Sequence, residues 1–450
     1  MLAFKAKDKK QNKADLKIKG VKLLCMDKDY HFYEDGCLLV SNGKIIGAGH
    51  NNDFTHIEAY RVIDGYNKLC MPGLVNTHTH AGMSIYRGVA DDLPLMTWLN
   101  EHIWPLEAKF GTKESVNVGT RLSLIEMLRS GTTTFCDMYF FAEEVGAIAK
   151  EYGMRAIIGE GIIDFPTPSM KSPGDALDHM AYLVEKWGNE DLISVAFSPH
   201  APYSCDKGVL KEAKSRANAL NCLFHIHLSE SQNEVEQCRE KFGLTPTAYL
   251  DSLGIIDRNS IAAHCVHLTE EDRQIIVEKG MGVSHNPQSN MKISSGIAPI
   301  FDLIQKGARV GIGTDGCASN NNLNMFEEMD FASKLQKVDT MNPTALDAKT
   351  TVSIGTLWGA DILGLSNVCG SLEVGKDADF ILIDLDQPQL TPFYNPYSHI
   401  IYAMNGSEVD SVFIKGNSIM EKRIFTSIDM ESVMNEAKSF EKDIRLFKKG

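Results

Sequence analysis

Eight short apolar runs with the character of β-strands recur through the middle of the chain, and stretches of helical character separate them. The runs are almost continuously apolar rather than alternating, which is typical of strands buried on both faces of a parallel sheet. Eight alternating strand and helix units over roughly 300 residues predict an α/β fold, a (β/α)8 TIM-like barrel. A doubly wound open sheet is the alternative, because a count of strands does not show that a sheet closes. The eight runs are LCMPGLVNTH, TTTFCDMYF, MRAIIGEG, ISVAFSPH, CLFHIHLS, SIAAHCVH, MGVSHNP and RVGIGTD.

The two ends of the chain contain short β-type segments, and turn pairs such as Asp35-Gly36 and Asn42-Gly43 separate them. We expect the segments from both ends to pair into one small β-sandwich beside the barrel. The last segment has apolar residues at three-to-four spacing, which predicts an amphipathic helix packed on the body of the protein. The predicted organisation is an N-terminal tail at residues 1–20, the first half of the sandwich at 21–72, the barrel at 73–369, the second half of the sandwich at 370–425 and the C-terminal helix at 426–450.

Charge and cysteine usage exclude several classes of function. Forty-five Lys and Arg stand against 59 Asp and Glu, so the net charge is −14. An acidic surface repels phosphates, so we expect no nucleic-acid partner. No run approaches the roughly 18 apolar residues of a membrane span, so we expect no membrane role. Ten scattered cysteines without a CxxC pair, and a start without a secretory signal, predict reduced thiols in a cytoplasmic protein. We expect a homo-oligomer that binds a small molecule.

Seven histidines lie at or just beyond the C-terminal ends of predicted barrel strands. In a barrel these ends meet at one mouth, where barrel enzymes have their active sites. In His78-Thr79-His80, residues i and i+2 point to the same side of a strand, so both imidazoles can bind one ion. Together with His227 and the carboxylate of Asp315, this pair predicts a catalytic divalent-metal site, for zinc or a similar ion. The seven are His78, His80, His200, His227, His264, His267 and His285.

Several segments stand in a defined order: PGLVNTHTH (72–80), HIHLSES (225–231), AAHCVH (262–267), HNPQSNMKISSGIAP (285–299), GIGTDG (311–316) and GSLEVGKDADFILID (370–384). Over residues 20–425 they resemble the strand-end motifs of the amidohydrolase superfamily. The segment HTHAGMSIYRGVADDLPLMTWLNEHIWPLEAKF (78–110) is similar to the subgroup of 5-methylthioadenosine/S-adenosylhomocysteine deaminases. The resemblance implies a hydrolase acting on C–N bonds of cyclic amidines, with a barrel and a returning sandwich segment.

The resemblance also implies a role for each matching residue. No lysine on the fourth strand can bridge a second metal, so one ion is implied, with zinc first and iron, nickel or manganese as other occupants. A slot for an apolar 5′ substituent is expected to be lined by Trp98, Trp104, Met83, Met96 and Leu93. The implied metal ligands are His78, His80, His227 and Asp315; the implied catalytic residues are Glu230, His264 and Asp315; the implied substrate contacts are Glu107, His200, Glu230 and Asp315.

These roles make chemical sense as the hydrolytic deamination of a 5′-modified adenosine to its inosine analogue and ammonia. A bound zinc lowers the pKa of its water from 15.7 toward about 7. Glu230, three residues beyond His227, can protonate the purine N1, and Glu107 can accept hydrogen bonds from two ribose hydroxyls. Some members carry an arginine after the third strand, where this chain has Glu160 between two glycines and only Lys171 beyond. We therefore expect methylthioadenosine, 5′-deoxyadenosine or another 5′-modified adenosine to be favoured, with S-adenosylhomocysteine handled less well.

Other interpretations of the same residues stay open at this point. GIGTDG also matches the dinucleotide fingerprint GxGxxG, but it follows the eighth strand instead of opening a βαβ unit. A related amidohydrolase acting on a triazine or on guanine would have nearly the same metal chemistry in a different pocket. A catalytically inactive scaffold on this fold would be expected to have lost ligands or acid–base groups, whereas this chain keeps all of them.

Overall fold

The computed structural model describes residues 13–448, and its centre is a closed barrel of eight parallel strands. The strand order around the barrel is β10-β11-β12-β13-β6-β7-β8-β9, so consecutive strands are neighbours. Almost every residue of these strands is buried, because helices cover the outer face and side chains fill the interior. The predicted (β/α)8 barrel is confirmed. Its strands are β6 (Leu74–Thr79), β7 (Thr132–Tyr139), β8 (Arg155–Ile162), β9 (Ile193–Pro199), β10 (Leu223–Leu228), β11 (Ser260–His264), β12 (Gly282–His285) and β13 (Arg309–Ile312).

Helices follow the barrel strands and begin at well-defined caps. Three of them begin at Thr112, Asp206 and Ser231, whose side-chain oxygens accept backbone N–H groups of the first helical turn. A π-helical turn, Trp98–Ile103, lies between the first two helices. The helices are α1 (Leu95–Thr97), α2 (Trp104–Phe110), α3 (Lys113–Arg129), α4 (Ala142–Glu151), α5 (Pro173–Trp187), α6 (Lys207–Ala219), α7 (Gln232–Phe242), α8 (Pro246–Ser252), α9 (Glu270–Lys279), α10 (Pro287–Lys292), α11 (Ile300–Gln305), α12 (Met325–Asp339), α13 (Ala348–Ile354), α14 (Leu357–Ile362), α15 (Pro396–Tyr402) and α16 (Met430–Phe447). Short 3₁₀ turns span Asn51–Phe54, Ala81–Tyr86 and Pro388–Leu390.

The two chain ends form one nine-stranded mixed sheet, as predicted for a small domain built from both of them. The strands follow the order β17-β16-β15-β14-β5-β1-β2-β3, and β4 pairs with β1. Strand pairing connects the two halves through β5 and β14, which are antiparallel. A separate apolar core joins the halves, with Ile18 and Leu38 from one end and Phe380 and Phe413 from the other. The strands are β1 (Lys13–Leu24), β2 (Phe32–Ser41), β3 (Lys44–His50), β4 (Glu58–Asp64), β5 (Lys68–Pro72), β14 (Phe380–Asp384), β15 (Val409–Ile414), β16 (Asn417–Glu421) and β17 (Ile424–Phe425).

Two local predictions in this sheet are wrong. The predicted tail at 1–20 is too long: residues 13–20 belong to β1, because they pair with both β2 and β4, whereas residues 1–12 lie outside the described part of the chain. Asp35-Gly36 is not a turn but lies inside β2, where a side chain at Gly36 would meet Leu23 Cβ at 2.5 Å. A glycine stands at position 36 because the neighbouring strand approaches closely there, and not because the chain turns. The Asn42-Gly43 turn is present between β2 and β3, with both residues at positive φ.

Contacts between the sheet, the barrel and the last helix fix their arrangement. Arg155 at the start of β8 is 3% exposed and bridges Asp377 at 2.7 Å and Asp379 at 2.9 Å. The predicted C-terminal helix is α16, which packs on α3 and forms an ion pair between Arg121 and Glu436. Within residues 13–448, no helix combines the length and the apolar character that crossing a membrane requires.

Candidate active site

A cavity opens at the C-terminal ends of the barrel strands. Most of its lining is apolar. Eight of the nine residues expected in the site line the cavity, and His78 lies fully buried among them. The eight are His80, Trp98, Glu107, His200, His227, Glu230, His264 and Asp315.

The expected metal ligands meet at the bottom of this cavity. Ring nitrogens of His78, His227 and His264 and a carboxylate oxygen of Asp315 all lie within 4.8 Å of one another. His80 Nε2 lies 3.1 Å from Asp315 Oδ1 and 3.3 Å from His227 Nε2, so it belongs to the same group. Five donors from four strand ends, β6, β10, β11 and β13, therefore converge on one point.

The hydrogen bonds behind two of these rings turn their Nε2 atoms toward the cluster. His80 Nδ1 bonds to the carbonyl oxygen of Met138, and His227 Nδ1 lies 2.7 Å from that of His200. A carbonyl only accepts, so each Nδ1 carries a proton, and the neutral form of each ring has its lone pair at Nε2. His78 Nε2 is buried and lies 3.5 Å from Asp315 Oδ1. Imidazole nitrogens grouped around one carboxylate are a donor set that fits a divalent cation.

The electrostatics of the cluster agree with a cation site. Burial lowers the pKa of His78 to about 4, and it holds that of His227 well below the usual range. Burial also acts against charge on His80, but the hydrogen bond and charge of Asp315 outweigh it and raise the pKa of His80 to about 9. The two histidine bonds and the charge of His80 hold the pKa of Asp315 well below its ordinary value against burial. The cluster thus favours one positive charge beside an ionised Asp315.

Neighbouring hydroxyls hold the Asp315 carboxylate in place. Ser289 and Ser319 donate to Oδ2 at 2.6 and 2.8 Å, and the backbone N–H of Gly316 donates to Oδ1 at 2.8 Å. Asp315 has φ 58° and His264 has φ 73°, both in the left-handed region. Such strain in residues other than glycine concentrates at functional sites, because surrounding contacts must maintain it.

Glu230 and His264 lie side by side at the rim of the metal cluster. His264 Nδ1 is 2.8 Å from the amide oxygen of Asn290 and 3.8 Å from Glu230 Oε1. Desolvation raises the pKa of Glu230, so its carboxyl keeps a proton to higher pH than an exposed glutamate. Glu234 supports this corner, because its carboxylate accepts the backbone N–H groups of Ser229 and Glu230 at 2.9 and 2.8 Å. A carboxyl with a raised pKa beside this donor cluster is suited to general acid catalysis.

The segment from Leu95 to Phe110 forms the outer wall of the cavity. Glu107 accepts a hydrogen bond from the Tyr139 hydroxyl at 2.7 Å, and burial raises the pKa of Glu107 to about 7. Trp98 is fixed by its Nε1–H, which donates to the carbonyl of Ala90 at 3.1 Å. One helical face turns inward here, so the apolar lining on this segment is Leu95, Trp98, Leu99, Ile103 and Trp104.

Two side chains expected in the apolar slot do not line the cavity. The prediction included Trp98, Trp104 and Met83, which do line it, and also Met96 and Leu93, which do not. Leu95, Leu99 and Ile103 line the cavity instead, because the residues on one face of a helix recur every three or four positions.

His200 and Glu160 differ in their relation to the cavity. His200 follows β9, lines the cavity, and its Nδ1 lies 2.8 Å from the Ser204 hydroxyl. Glu160 is fully buried in β8 outside the cavity lining, and its carboxylate accepts backbone N–H groups of Phe141 and Ala142 at 3.2 and 2.8 Å. Glu160 therefore has a structural role: its carboxylate binds the segment that follows β7 and does not face the cavity. Among the described residues that line the cavity there is no lysine or arginine.

The model of the amidohydrolase family matches residues 69–419, which include the whole barrel and sheet strands that follow it. The chain belongs to the amidohydrolase family. It is 42% identical to the 5-methylthioadenosine/S-adenosylhomocysteine deaminase 1 of Syntrophus aciditrophicus, over 96% of this chain and 98% of that protein. It is 41% identical to the 5′-deoxyadenosine deaminase of Methanococcoides burtonii, over 96% and 98% of the two chains. A zinc-bound crystal structure of an adenosine deaminase from Xanthomonas campestris superposes with a TM-score of 0.95 and 38% identity, covering 97% of this chain and all of that one.

This amidohydrolase also has supporting residues that the sequence did not single out. His225 Nε2 lies 3.0 Å from His78 Nδ1, and its own Nδ1 lies 3.6 Å from Cys136 Sγ. His225 thus holds the ring of a metal-site histidine from behind. The one available signal was its spacing, because His225 and His227 point to the same side of β10. No sequence pattern pointed to Tyr139, Ser289 or Ser319, because their hydrogen bonds form only once the chain is folded.

Proposed function

We propose that this amidohydrolase deaminates adenosine nucleosides with a small uncharged 5′ substituent, of which 5′-methylthioadenosine is the preferred example. The reaction is hydrolysis of the C6 amino group, which gives the inosine analogue and ammonia. The observation that carries the proposal is the position of Glu230 in the lining of a mostly apolar cavity, where its Oε1 lies 3.8 Å from His264 of the donor cluster. The deaminase names of full-length relatives support it.

The residues of the cluster have complementary tasks in this reaction. His78, His80, His227 and Asp315 would hold one divalent ion, for which we propose zinc, and the ion would supply a water activated at neutral pH. The Glu230 carboxyl donates its proton to purine N1, which makes C6 more electrophilic. Asp315 accepts a proton from the attacking water.

The remaining side chains orient the nucleoside and complete proton transfer. His264 stays next to Glu230 and hydrogen-bonds the attacking oxygen, with its ring held by Asn290. The proton that Asp315 took up passes to the amino group, which leaves as ammonia. The hydroxyl proton of the tetrahedral adduct returns to Glu230, so that C6 becomes a carbonyl and N1 keeps its proton. Glu107 accepts hydrogen bonds from the ribose hydroxyls, and His200 contacts the purine.

The outer wall determines which 5′ substituent fits. Trp98, Trp104 and Met83 offer apolar and polarisable surface, which suits a methylthio group. A carboxylate or phosphate would be desolvated there without a cation to pair with, and burying an unpaired charge is unfavourable. We therefore expect S-adenosylhomocysteine and AMP to be poorer substrates than methylthioadenosine or 5′-deoxyadenosine.

A metal-depletion experiment tests the proposal. Protein stripped by a chelator should lose deamination of methylthioadenosine, and one equivalent of zinc per chain should restore it. Elemental analysis of the reconstituted protein should give one ion. Two ions per chain, or full activity in the stripped protein, would contradict the assignment.

We also propose a cytosolic location. All ten cysteines are free thiols in the structure, and nine of them are buried. Unpaired thiols in this number are typical of a reducing compartment.

A further inference from the structure

Tyr139 closes β7 at the mouth of the barrel and reaches the outer wall of the cavity. Its side chain is 5% exposed, and its hydroxyl donates to Glu107 Oε1 at 2.7 Å. Glu107 belongs to α2, so this hydrogen bond links the barrel wall to the segment that covers the cavity. Both residues line the cavity.

The tyrosine ring has little freedom to move. A methyl group at Gly82 would lie 2.6 Å from Tyr139 Cδ1, so the ring rests directly against the backbone of the 3₁₀ turn after β6. The Phe140 ring packs beside it with a centroid separation of 4.9 Å. The hydroxyl is therefore held at a fixed point, and the carboxylate it contacts is held with it.

The contact uses only part of the Glu107 carboxylate. An ionised carboxylate has about four acceptor positions, and Tyr139 occupies one of them. Among the hydrogen bonds of residues 13–448, Glu107 Oε2 accepts none. The donor on Oε1 also opposes the burial that favours protonation of Glu107, because a hydrogen bond to the ionised form stabilises that form.

We propose that Tyr139 is a positioning residue that makes the site selective for ribonucleosides. It holds Glu107 so that the free acceptor positions of the carboxylate meet the 2′- and 3′-hydroxyls of the substrate. The inference rests on the proposed function, because it takes the ribose of an adenosine nucleoside as the group that Glu107 binds. Tyr139 itself does not touch the reacting atoms.

The test compares adenosine with 2′,3′-dideoxyadenosine, which differ only in the two ribose hydroxyls. Tyr139→Phe should raise KM for adenosine on the order of 10-fold with kcat little changed, since hydrogen bonds to charged groups have that strength. KM for the dideoxynucleoside and the zinc content should not change. Tyr249→Phe is the matched control, because Tyr249 on α8 is 6% exposed and lies outside the cavity lining.

A double variant shows whether Tyr139 acts through Glu107. In a Glu107→Ala background, Tyr139→Phe should leave KM for adenosine unchanged, because the carboxylate it positions is gone. Equal losses on both nucleosides, or an unchanged KM for adenosine, would overturn the inference while the proposed function stands. A wild-type protein that deaminates no adenosine nucleoside would overturn both.

Discussion

Replacement of Glu230 by glutamine tests the chemical step most sharply. Glutamine keeps the size of the side chain but has no acidic proton to give to purine N1. The His264 ring lies 3.8 Å from Glu230 Oε1, and Trp98 and Ile293 line the same cavity. Because an amide cannot act as a general acid, we expect kcat to fall on the order of 10²- to 10⁴-fold, or about 3–5 kcal/mol of transition-state stabilisation.

The assay is the ultraviolet absorbance change on deamination, read with ammonia release, at saturating methylthioadenosine. Zinc content and KM should stay close to wild type, because Glu230 is not among the proposed metal ligands. Glu160→Gln is the matched control: Glu160 is also buried with a pKa raised by desolvation to about 7, but it lies outside the cavity lining. This control should retain kcat. A Glu230→Gln protein with near wild-type kcat, or one that loses its zinc, would refute the role of Glu230.

Three further predictions concern the groups around the reacting centre. His225→Leu should weaken zinc binding on the order of 10- to 100-fold in a chelator competition, because His78 loses the partner that fixes its ring. An unchanged zinc affinity would show that His225 does not support the metal site. Trp98→Leu should lower kcat/KM for methylthioadenosine more than for adenosine, on the order of 10-fold, because the apolar wall of the 5′ slot shrinks; equal losses would mean that Trp98 does not contact the substituent. KM for adenosine should fall as pH rises through about 7, because burial raises the pKa of Glu107 to about 7 and only its ionised form accepts hydrogen bonds from both ribose hydroxyls. A KM that rises over this interval would contradict the role of Glu107.

The barrel and the ends of its strands were predictable because their signals are local. Continuous apolar runs mark strands buried on both faces, and a histidine at the end of such a run must lie at the mouth once the barrel closes. His78, His200, His227, His264 and Asp315 meet in the structure for this reason, although they are distant in sequence. Which of the converging side chains bind an ion stays a prediction.

The supporting contacts were not predictable, because they depend on side-chain placement across separate elements. Ser289 and Ser319 lie on segments after different strands and share one oxygen of Asp315. Tyr139 and Glu107 are 32 residues apart and form a contact only because α2 covers the cavity. At Gly36 a local pattern was misleading. Asp35-Gly36 is typical of a turn, but it lies inside a strand, where Leu23 of the neighbouring strand leaves no room for a side chain.

The substrate is tested most directly by kcat/KM of the zinc-loaded protein across a panel of compounds. The panel consists of methylthioadenosine, 5′-deoxyadenosine, adenosine, S-adenosylhomocysteine and AMP, with guanine, cytosine and a chlorotriazine as heterocycles outside the proposed class. We expect methylthioadenosine to have the highest kcat/KM and 5′-deoxyadenosine and adenosine to be used. S-adenosylhomocysteine and AMP should be poorer, because the described residues that line the cavity include no lysine or arginine to pair with their charges. Turnover of the triazine or of a free base alone, with no activity on any adenosine nucleoside, would contradict the proposed function.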